Sequence, residues 1–378
     1  MAKVRPFELV IASGGTGGHT TPVLAVLTAL RARTAVDATW IGGTWGVERD
    51  AARTADVPFA AIQTGKLRRY LSWQTPIDAV RIPIGLAQAR HLLKQIAPDV
   101  VFSTGGYVAV PTALAAARLG IPVLTHEQTA QLGLATRIIA RSAAVLALTF
   151  PLPASANLSG HARVIVTGNP VRAALFTGDA ARGAARFGLM RHLPTIYATG
   201  GARGSSPVNE RIERALPLLL PSMQIIHATG PTEANNDYPR LMRVRDALPD
   251  EWRARYVVVE RLGDELPDIY ALASLVVGRS GAGTVAELAA LGKPSILIPL
   301  PDTGGDEAMK NARVLADVGA AIVIPQSEAT PELIASHIIA LMNDPARRTR
   351  MSDAARTVAP DNAAETIASE LLRLAERD

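Results

Sequence analysis

Three glycine-dense stretches carry the most specific chemical signal in the chain: Gly14-Gly15-Thr16-Gly17-Gly18, Gly200-Gly201-Ala202-Arg203-Gly204 and Gly278-Arg279-Ser280-Gly281-Ala282-Gly283-Thr284. A strand that ends in glycines and opens a helix presents bare backbone N–H groups together with the positive end of the helix dipole. Without a Cβ, that backbone can close on a phosphate. Turns and close packing also select glycine, so one such loop says little and three say more. None ends in Gly-Lys-Ser/Thr, which excludes a nucleoside-triphosphate P-loop. The first also lacks the spacing and downstream acid of a dinucleotide fingerprint. Phosphate binding therefore follows from these loops, whereas kinase and dehydrogenase chemistry do not.

The elements that must position the loops are short apolar runs alternating with helical patterns. Phe7–Ser13, Ala38–Ile41, Val100–Ser103, Val123–Thr125, Ala144–Leu148 and Val164–Thr167 read as buried parallel strands, with helices such as Pro22–Thr34 and Pro111–Leu119 between them. A second series follows Gly168-Asn169-Pro170: Thr195–Thr199, Gln224–Thr229, Arg255–Val259, Leu275–Gly278, Ser295–Pro299 and Ala321–Ile324. Both halves open with a strand, a glycine loop and a helix. The expected architecture is α/β, with two Rossmann-like domains whose parallel sheets face across a cleft. Their expected spans are residues 1–168 and 169–360, hinged near Gly168–Arg172, with a last helix (361–378) packing on either domain.

Composition limits the partners. At 378 residues the chain suits two domains, and 48% apolar against 19% charged residues provides for real cores. Aromatics are only 4%, so Ala, Val, Ile and Leu must do the packing. Cysteine is absent, which removes disulfides and thiolate metal sites and fits a reducing compartment. A net charge of +5 fits either an anionic partner or a mildly basic surface. No uncharged run approaches the ~20 residues of a membrane span, and the start lacks a signal-peptide pattern. The expected location is cytoplasmic. Lys66-Leu67-Arg68-Arg69-Tyr70-Leu71-Ser72-Trp73, with the partly amphipathic Ile77–Ile96, suits docking on the anionic inner face of the plasma membrane; the plainer reading is a solvated basic loop before a core helix.

The ordered set Gly14-Gly15-Thr16-Gly17-Gly18-His19, Gly105-Gly106-Tyr107, His126-Glu127-Gln128, Thr167-Gly168-Asn169-Pro170-Val171-Arg172 and Gly278-Arg279-Ser280-Gly281-Ala282-Gly283-Thr284-Val285-Ala286-Glu287 strongly resembles the MurG-type glycosyltransferases. These add N-acetylglucosamine from its UDP form to lipid I. The resemblance spans nearly the whole chain and implies the GT-B fold, an inverting transfer, a UDP-sugar donor held mainly by the C-terminal domain, and a lipid-phosphate or lipid-pyrophosphate acceptor. It implies no nucleic-acid partner and no cofactor.

Carried over residue by residue, the resemblance sets His19 on the acceptor side as the base that takes the acceptor's proton, or as a loop cap or phosphate ligand. Glu127 is the rival base, or a carboxylate that orients His126 or caps the next helix. Thr16, Gly17, Gly18, Tyr107, His126 and Thr129 fall on the acceptor side, His126 and Glu127 pointing into the cleft from a strand end. For the donor, Glu287 accepts the ribose hydroxyls and Arg172 contacts the diphosphate or forms a hinge salt bridge. Gly201, Ala202, Arg203, Gly204, Ser280, Gly281, Ala282, Gly283 and Thr284 frame the phosphates, Gly263 meets the uracil, and Glu307 and Ala308 fall where the sugar is read. No Asp-x-Asp pair is present, so loops, helix dipoles and Arg172 would stabilise the leaving UDP without a tightly bound metal.

Several positions depart from the family. Thr129 replaces an asparagine, Ala202 replaces a serine ahead of Arg203, and Glu307 and Ala308 replace two sugar-reading glutamines. Lost amide contacts change sugar discrimination strongly. They favour a specialised relative that glycosylates another lipid phosphate, as in phosphoglycolipid antibiotic assembly, with Arg203 reading a uronic acid. The other reading is a peptidoglycan transferase that has drifted. From a different class, a sugar-nucleotide epimerase shares the architecture but has no use for the basic segment, and a non-catalytic nucleotide-sugar sensor is a further alternative.

Overall fold

The computed structural model describes residues 5–15, 17–65, 75–152, 162–358, 360 and 362–376. The basic segment 66–73 and Thr16 lie outside the described residues. The chain divides into two compact units, Met1–Arg172 with Asp361–Asp378, and Ala173–Pro360.

In the first unit, strands β1 (Phe7–Ala12), β2 (Val36–Gly43), β3 (Phe59–Ile62), β4 (Val100–Ser103), β5 (Val123–Glu127), β6 (Val145–Leu148) and β7 (Arg163–Val166) form one sheet in the order β3-β2-β1-β4-β5-β6-β7. Every neighbouring pair is parallel. Side chains alternate across such a sheet. Leu9 and Ile11 accordingly enter one core with Trp40 and Phe102, while Val10 and Ala12 enter the other with Ile41 and Val101. Strand β3 was not among the expected strands. It is a four-residue edge strand, Phe-Ala-Ala-Ile, with only Ile62 buried, and so carries little apolar signal.

In the second unit, β8 (Thr195–Thr199), β9 (Gln224–Ala228), β10 (Tyr256–Val259), β11 (Leu275–Gly278), β12 (Ser295–Leu297) and β13 (Ala321–Val323) lie in the order β10-β9-β8-β11-β12-β13, again all parallel. All six coincide with the expected strands to within one or two residues at their ends. The order places the first strand of each unit beside the fourth, so the chain reverses its direction of travel across the sheet at β1/β4 and at β8/β11. Ligands of open parallel sheets bind beyond the strand ends at such a switch point.

One helix starts earlier than expected, and another, left open between the two domains, packs on one of them. The first runs Gly17–Arg31 rather than from Pro22, because the glycine loop leads straight into it and Pro22 is accommodated inside. His19 therefore rides on the first helical turn. The last helix, Ala363–Ala375, packs on the N-terminal unit, where Ile367, Ala368, Leu371 and Leu374 join Val23, Val26, Leu27 and Leu30 in one core.

Candidate functional site

At the switch point of the N-terminal unit, the loops after β1 and β4 meet through backbone contact. Gly106 has φ +81°, and a Cβ there would come within 2.3 Å of the Gly14 carbonyl oxygen. Only glycine permits that approach. The hydroxyls of Ser13 and Thr104, at the ends of the same two strands, donate to the His19 carbonyl oxygen at 2.8 and 2.6 Å and fix the first helical turn. The His19 ring is fixed too: Nδ1 lies 2.8 Å from the Thr104 carbonyl oxygen. A carbonyl only accepts, so Nδ1 carries the proton and Nε2 carries the lone pair. The Gln128 amide nitrogen donates to the same carbonyl at 3.1 Å. Burial lowers the His19 pKa below its ordinary value of 6.5, against the opposing pull of the Thr104 hydrogen bond and the Glu127 charge.

Glu127 has a different job in the structure. Its Oε1 accepts the Thr129 N–H at 3.1 Å and lies 2.9 Å from the Thr129 hydroxyl, while Oε2 accepts the Gly133 N–H at 2.9 Å. Both oxygens thus organise the turn ahead of the helix Leu134–Ala140. Thr129 belongs to that turn, its hydroxyl also reaching the Gln131 carbonyl oxygen at 2.6 Å. His126, expected to point out toward an acceptor, is fully buried instead. Its Nε2 donates to the Gly168 carbonyl oxygen at 3.0 Å, and burial pushes its pKa down to about 4. The reason is position: β5 is buried along its whole length, so its last residues meet protein on both faces. Tyr107, half-buried, has its ring against Gly15, and Gly18 is exposed at the helix start.

Sequence reasoning missed Glu48. Fully buried, it accepts the N–H of Gly15 at 3.2 Å and of Gly43 at 3.1 Å. Its carboxyl fills space that a Cβ on Gly14 or Gly46 would occupy, and its Cγ, with the Phe59 ring, does the same at Gly42. Heading the helix Glu48–Thr54, it reads as an ordinary first-turn acid. The available signal was the cluster Gly42, Gly43 and Gly46 just before it.

In the C-terminal unit, the loops after β8 and β11 flank the second switch point. The second glycine loop closes with the Gly204 N–H donating to the Gly201 carbonyl oxygen at 2.9 Å, and the Gly201 N–H donates to Thr199 Oγ1 at 3.1 Å. Gly204, with φ +72°, lies directly on the Thr229 carbonyl and Gly230. Asn235 donates to the carbonyl oxygens of Arg203 and Thr229, at 3.0 and 3.2 Å. Ala202 and Arg203 are exposed. In the third loop, Gly281 caps the helix Ala282–Ala290 and no protein atom would obstruct a Cβ at Gly281 or Gly283. Open space over bare backbone at a helix start is what an anion requires.

Glu287 lies half-buried on that helix, and its Oε2 accepts the Tyr270 hydroxyl at 2.8 Å. Ser280 is buried and donates to the Ala308 carbonyl oxygen at 2.7 Å, tying the third loop to the helix Glu307–Ala316. Glu307 is exposed, Ala308 is buried, and Gly263 is exposed in the turn before the helix Leu266–Leu272. Arg279 braces the region from behind, donating to Ser205 Oγ and to the Ile298 and Pro299 carbonyl oxygens at 3.0 Å, and to Gln326 Oε1 at 2.6 Å. Burial, and then the nearby Arg211 charge, lower its pKa to about 10. Arg172 is exposed at the end of the N-terminal unit. Among the described residues no group of three or more His, Cys, Asp or Glu is placed to hold a metal ion, and no helix is long and apolar enough to cross a membrane.

Two parallel α/β units, each with paired glycine loops at its switch point, define a GT-B glycosyltransferase. The chain belongs to glycosyltransferase family 28: the N-terminal domain model of that family matches residues 9–147 and its C-terminal domain model matches residues 195–367. It is 34% identical to the UDP-N-acetylglucosamine–N-acetylmuramyl-(pentapeptide) pyrophosphoryl-undecaprenol N-acetylglucosamine transferase of Desulforudis audaxviator, over 97% of this chain and 98% of that one. The enzyme of the same name from Listeria monocytogenes is 33% identical over 96% and 99%. MurG of Acinetobacter baumannii superposes with a TM-score of 0.75 at 29% identity, over 97% of this chain and 100% of that one. A UDP-GlcNAc 2-epimerase from Neisseria meningitidis shares the fold, with a TM-score of 0.66, but only 15% of its residues, over 98% and 100%.

The chain is thus a MurG-type, UDP-sugar-dependent glycosyltransferase. The relatives do not support the expectation of phosphoglycolipid antibiotic assembly and favour the alternative, a peptidoglycan transferase. These relatives carry the peptidoglycan-precursor name over nearly their whole lengths.

Proposed function

We propose that the chain transfers N-acetylglucosamine from UDP-N-acetylglucosamine to N-acetylmuramyl-(pentapeptide) pyrophosphoryl-undecaprenol, with inversion at the anomeric carbon. The observation that carries the chemistry is the fixed tautomer of His19, with Nδ1–H on the Thr104 carbonyl and the lone pair on Nε2. In the proposed reaction an acceptor hydroxyl attacks the anomeric carbon and its proton passes to Nε2. The bond from that carbon to the UDP oxygen breaks, and UDP leaves with the electron pair. In the C-terminal unit Glu287 takes the ribose hydroxyls and the second and third glycine loops take the diphosphate, while Arg172, in the N-terminal unit, adds charge. His19 is the base in this reading and Glu127 a positioning residue, because both Glu127 oxygens already hold backbone N–H groups.

The sugar contact at Glu307 replaces amide chemistry with a carboxylate that accepts from sugar hydroxyls. A peripheral contact with an anionic bilayer rests on the composition of residues 66–73 and brings a basic surface to a lipid-linked acceptor.

Acceptor-dependent UDP release across a panel of UDP-sugars tests the donor and acceptor together. The expected result is release with UDP-N-acetylglucosamine and lipid I, and none without acceptor. A preference for UDP-glucuronic acid, or epimerised sugar nucleotide formed without acceptor, would sink the proposal.

A further inference from the structure

We infer that Tyr270 is a positioning residue for nucleotide recognition: its phenol holds the Glu287 carboxylate in the orientation that accepts the ribose hydroxyls. This rests on the assignment of Glu287 to the ribose made above. Glu287 is half-buried, and an unanchored glutamate would have to give up rotamer entropy on binding. The Tyr270 hydroxyl, donating to Oε2 at 2.8 Å, meets much of that cost before ligand arrives.

The phenol is itself fixed. Tyr270 is 3% exposed on the helix Leu266–Leu272, and its ring packs edge-to-face on Tyr197, with centroids 5.6 Å apart and planes at 90°. Tyr197 is likewise buried, and burial, with the Glu287 charge adding to it, raises its phenol pKa. It therefore stays a neutral donor. Two residues further along β8, Thr199 Oγ1 accepts the Gly201 N–H at 3.1 Å. The edge-to-face pair thus ties the Glu287 carboxylate to β8, the strand that leads into the second glycine loop.

The chemical type of the partner matters. A lysine or arginine on Oε2 would neutralise the carboxylate and compete with the sugar for it. A neutral hydroxyl orients the group without neutralising it, and hydrogen bonds to an ionised acceptor are the strong ones. Sequence reading could not find this pair, because Tyr270 lies seventeen positions before Glu287 and fits an ordinary apolar helix face.

The test compares UDP with 2′,3′-dideoxy-UDP by calorimetry on the full chain, in wild type, Tyr270→Phe and Glu287→Ala. Positioning predicts that Tyr270→Phe weakens UDP by roughly three- to tenfold while leaving the dideoxy nucleotide unchanged. Glu287→Ala should abolish the preference for UDP altogether. A Tyr270→Phe protein that keeps the full preference, or that loses both ligands equally as a packing defect would cause, overturns the role of Tyr270. If wild type itself binds the two nucleotides equally, the ribose assignment of Glu287 falls, and the inference with it.

Discussion

The two nitrogens of His19 divide the work: one is spent on the Thr104 carbonyl and the other is left basic. A base must be neutral to act, and burial lowers this group's pKa from 6.5. The acid limb of kcat/KM should therefore lie below pH 6.5, with activity falling as the pH drops through the lowered value. His19→Gln should cost about two to four orders of magnitude in kcat and remove that limb. Glu127→Gln should keep the limb, and a pH profile of each variant separates the two residues. A limb that persists in His19→Gln would shift the base role elsewhere. His19 and Glu287 were legible because each adjoins a glycine loop of recognisable order. Glu48 and Tyr270 were not, since they act through partners 33 and 17 positions away that only folding brings close. His126 misled because a histidine at a strand end looks like a cleft residue until the strand proves buried on both faces.

At the scale of elements, the terminal helix is the least local feature of the fold. Ile367, Ala368, Leu371 and Leu374 recur on one face and complete the core built by the helix Gly17–Arg31. Arg33 pairs with Glu365, and Arg163 with Glu370, at its margins. These exposed pairs add little against the apolar burial. Leu371→Ala should lower the stability of the N-terminal unit by about 2–5 kcal/mol, read by denaturant unfolding, with UDP affinity unchanged because the loops proposed to hold the nucleotide lie in the other unit. Unaltered unfolding would contradict the packing described. The periodicity of this helix announces an apolar face, but nothing local says which unit it covers. Strand β3 escaped for the opposite reason, two alanines and an edge position leaving too little apolar pattern to read.

For the whole molecule, among the described residues each unit encloses one fully buried histidine. His126 is pushed to about 4 and His227 to about 3, both chiefly by burial. His227 sits in a polar network, with Nδ1 2.9 Å from the Tyr256 hydroxyl and Nε2 3.0 Å from Asn209 Oδ1. The unfolded chain binds a proton near pH 6.5 that the folded chain refuses until the lowered value, so stability is full above 6.5 and is lost as the pH falls toward those values. Between pH 7 and 5 each histidine should cost on the order of 2 kcal/mol, and urea unfolding at the two pH values should show a smaller loss in His126→Gln.

The proposed transfer yields one inverted glycosidic bond, with the UDP-sugar assigned to the C-terminal unit and proton removal assigned to His19. The most direct measurement is the anomeric configuration of the new linkage, by NMR of the disaccharide product formed from UDP-N-acetylglucosamine and lipid I. A β-linked N-acetylglucosaminyl product from the α-linked donor is the result this account predicts; an α-linked product, or a sugar released without any acceptor bond, would contradict it.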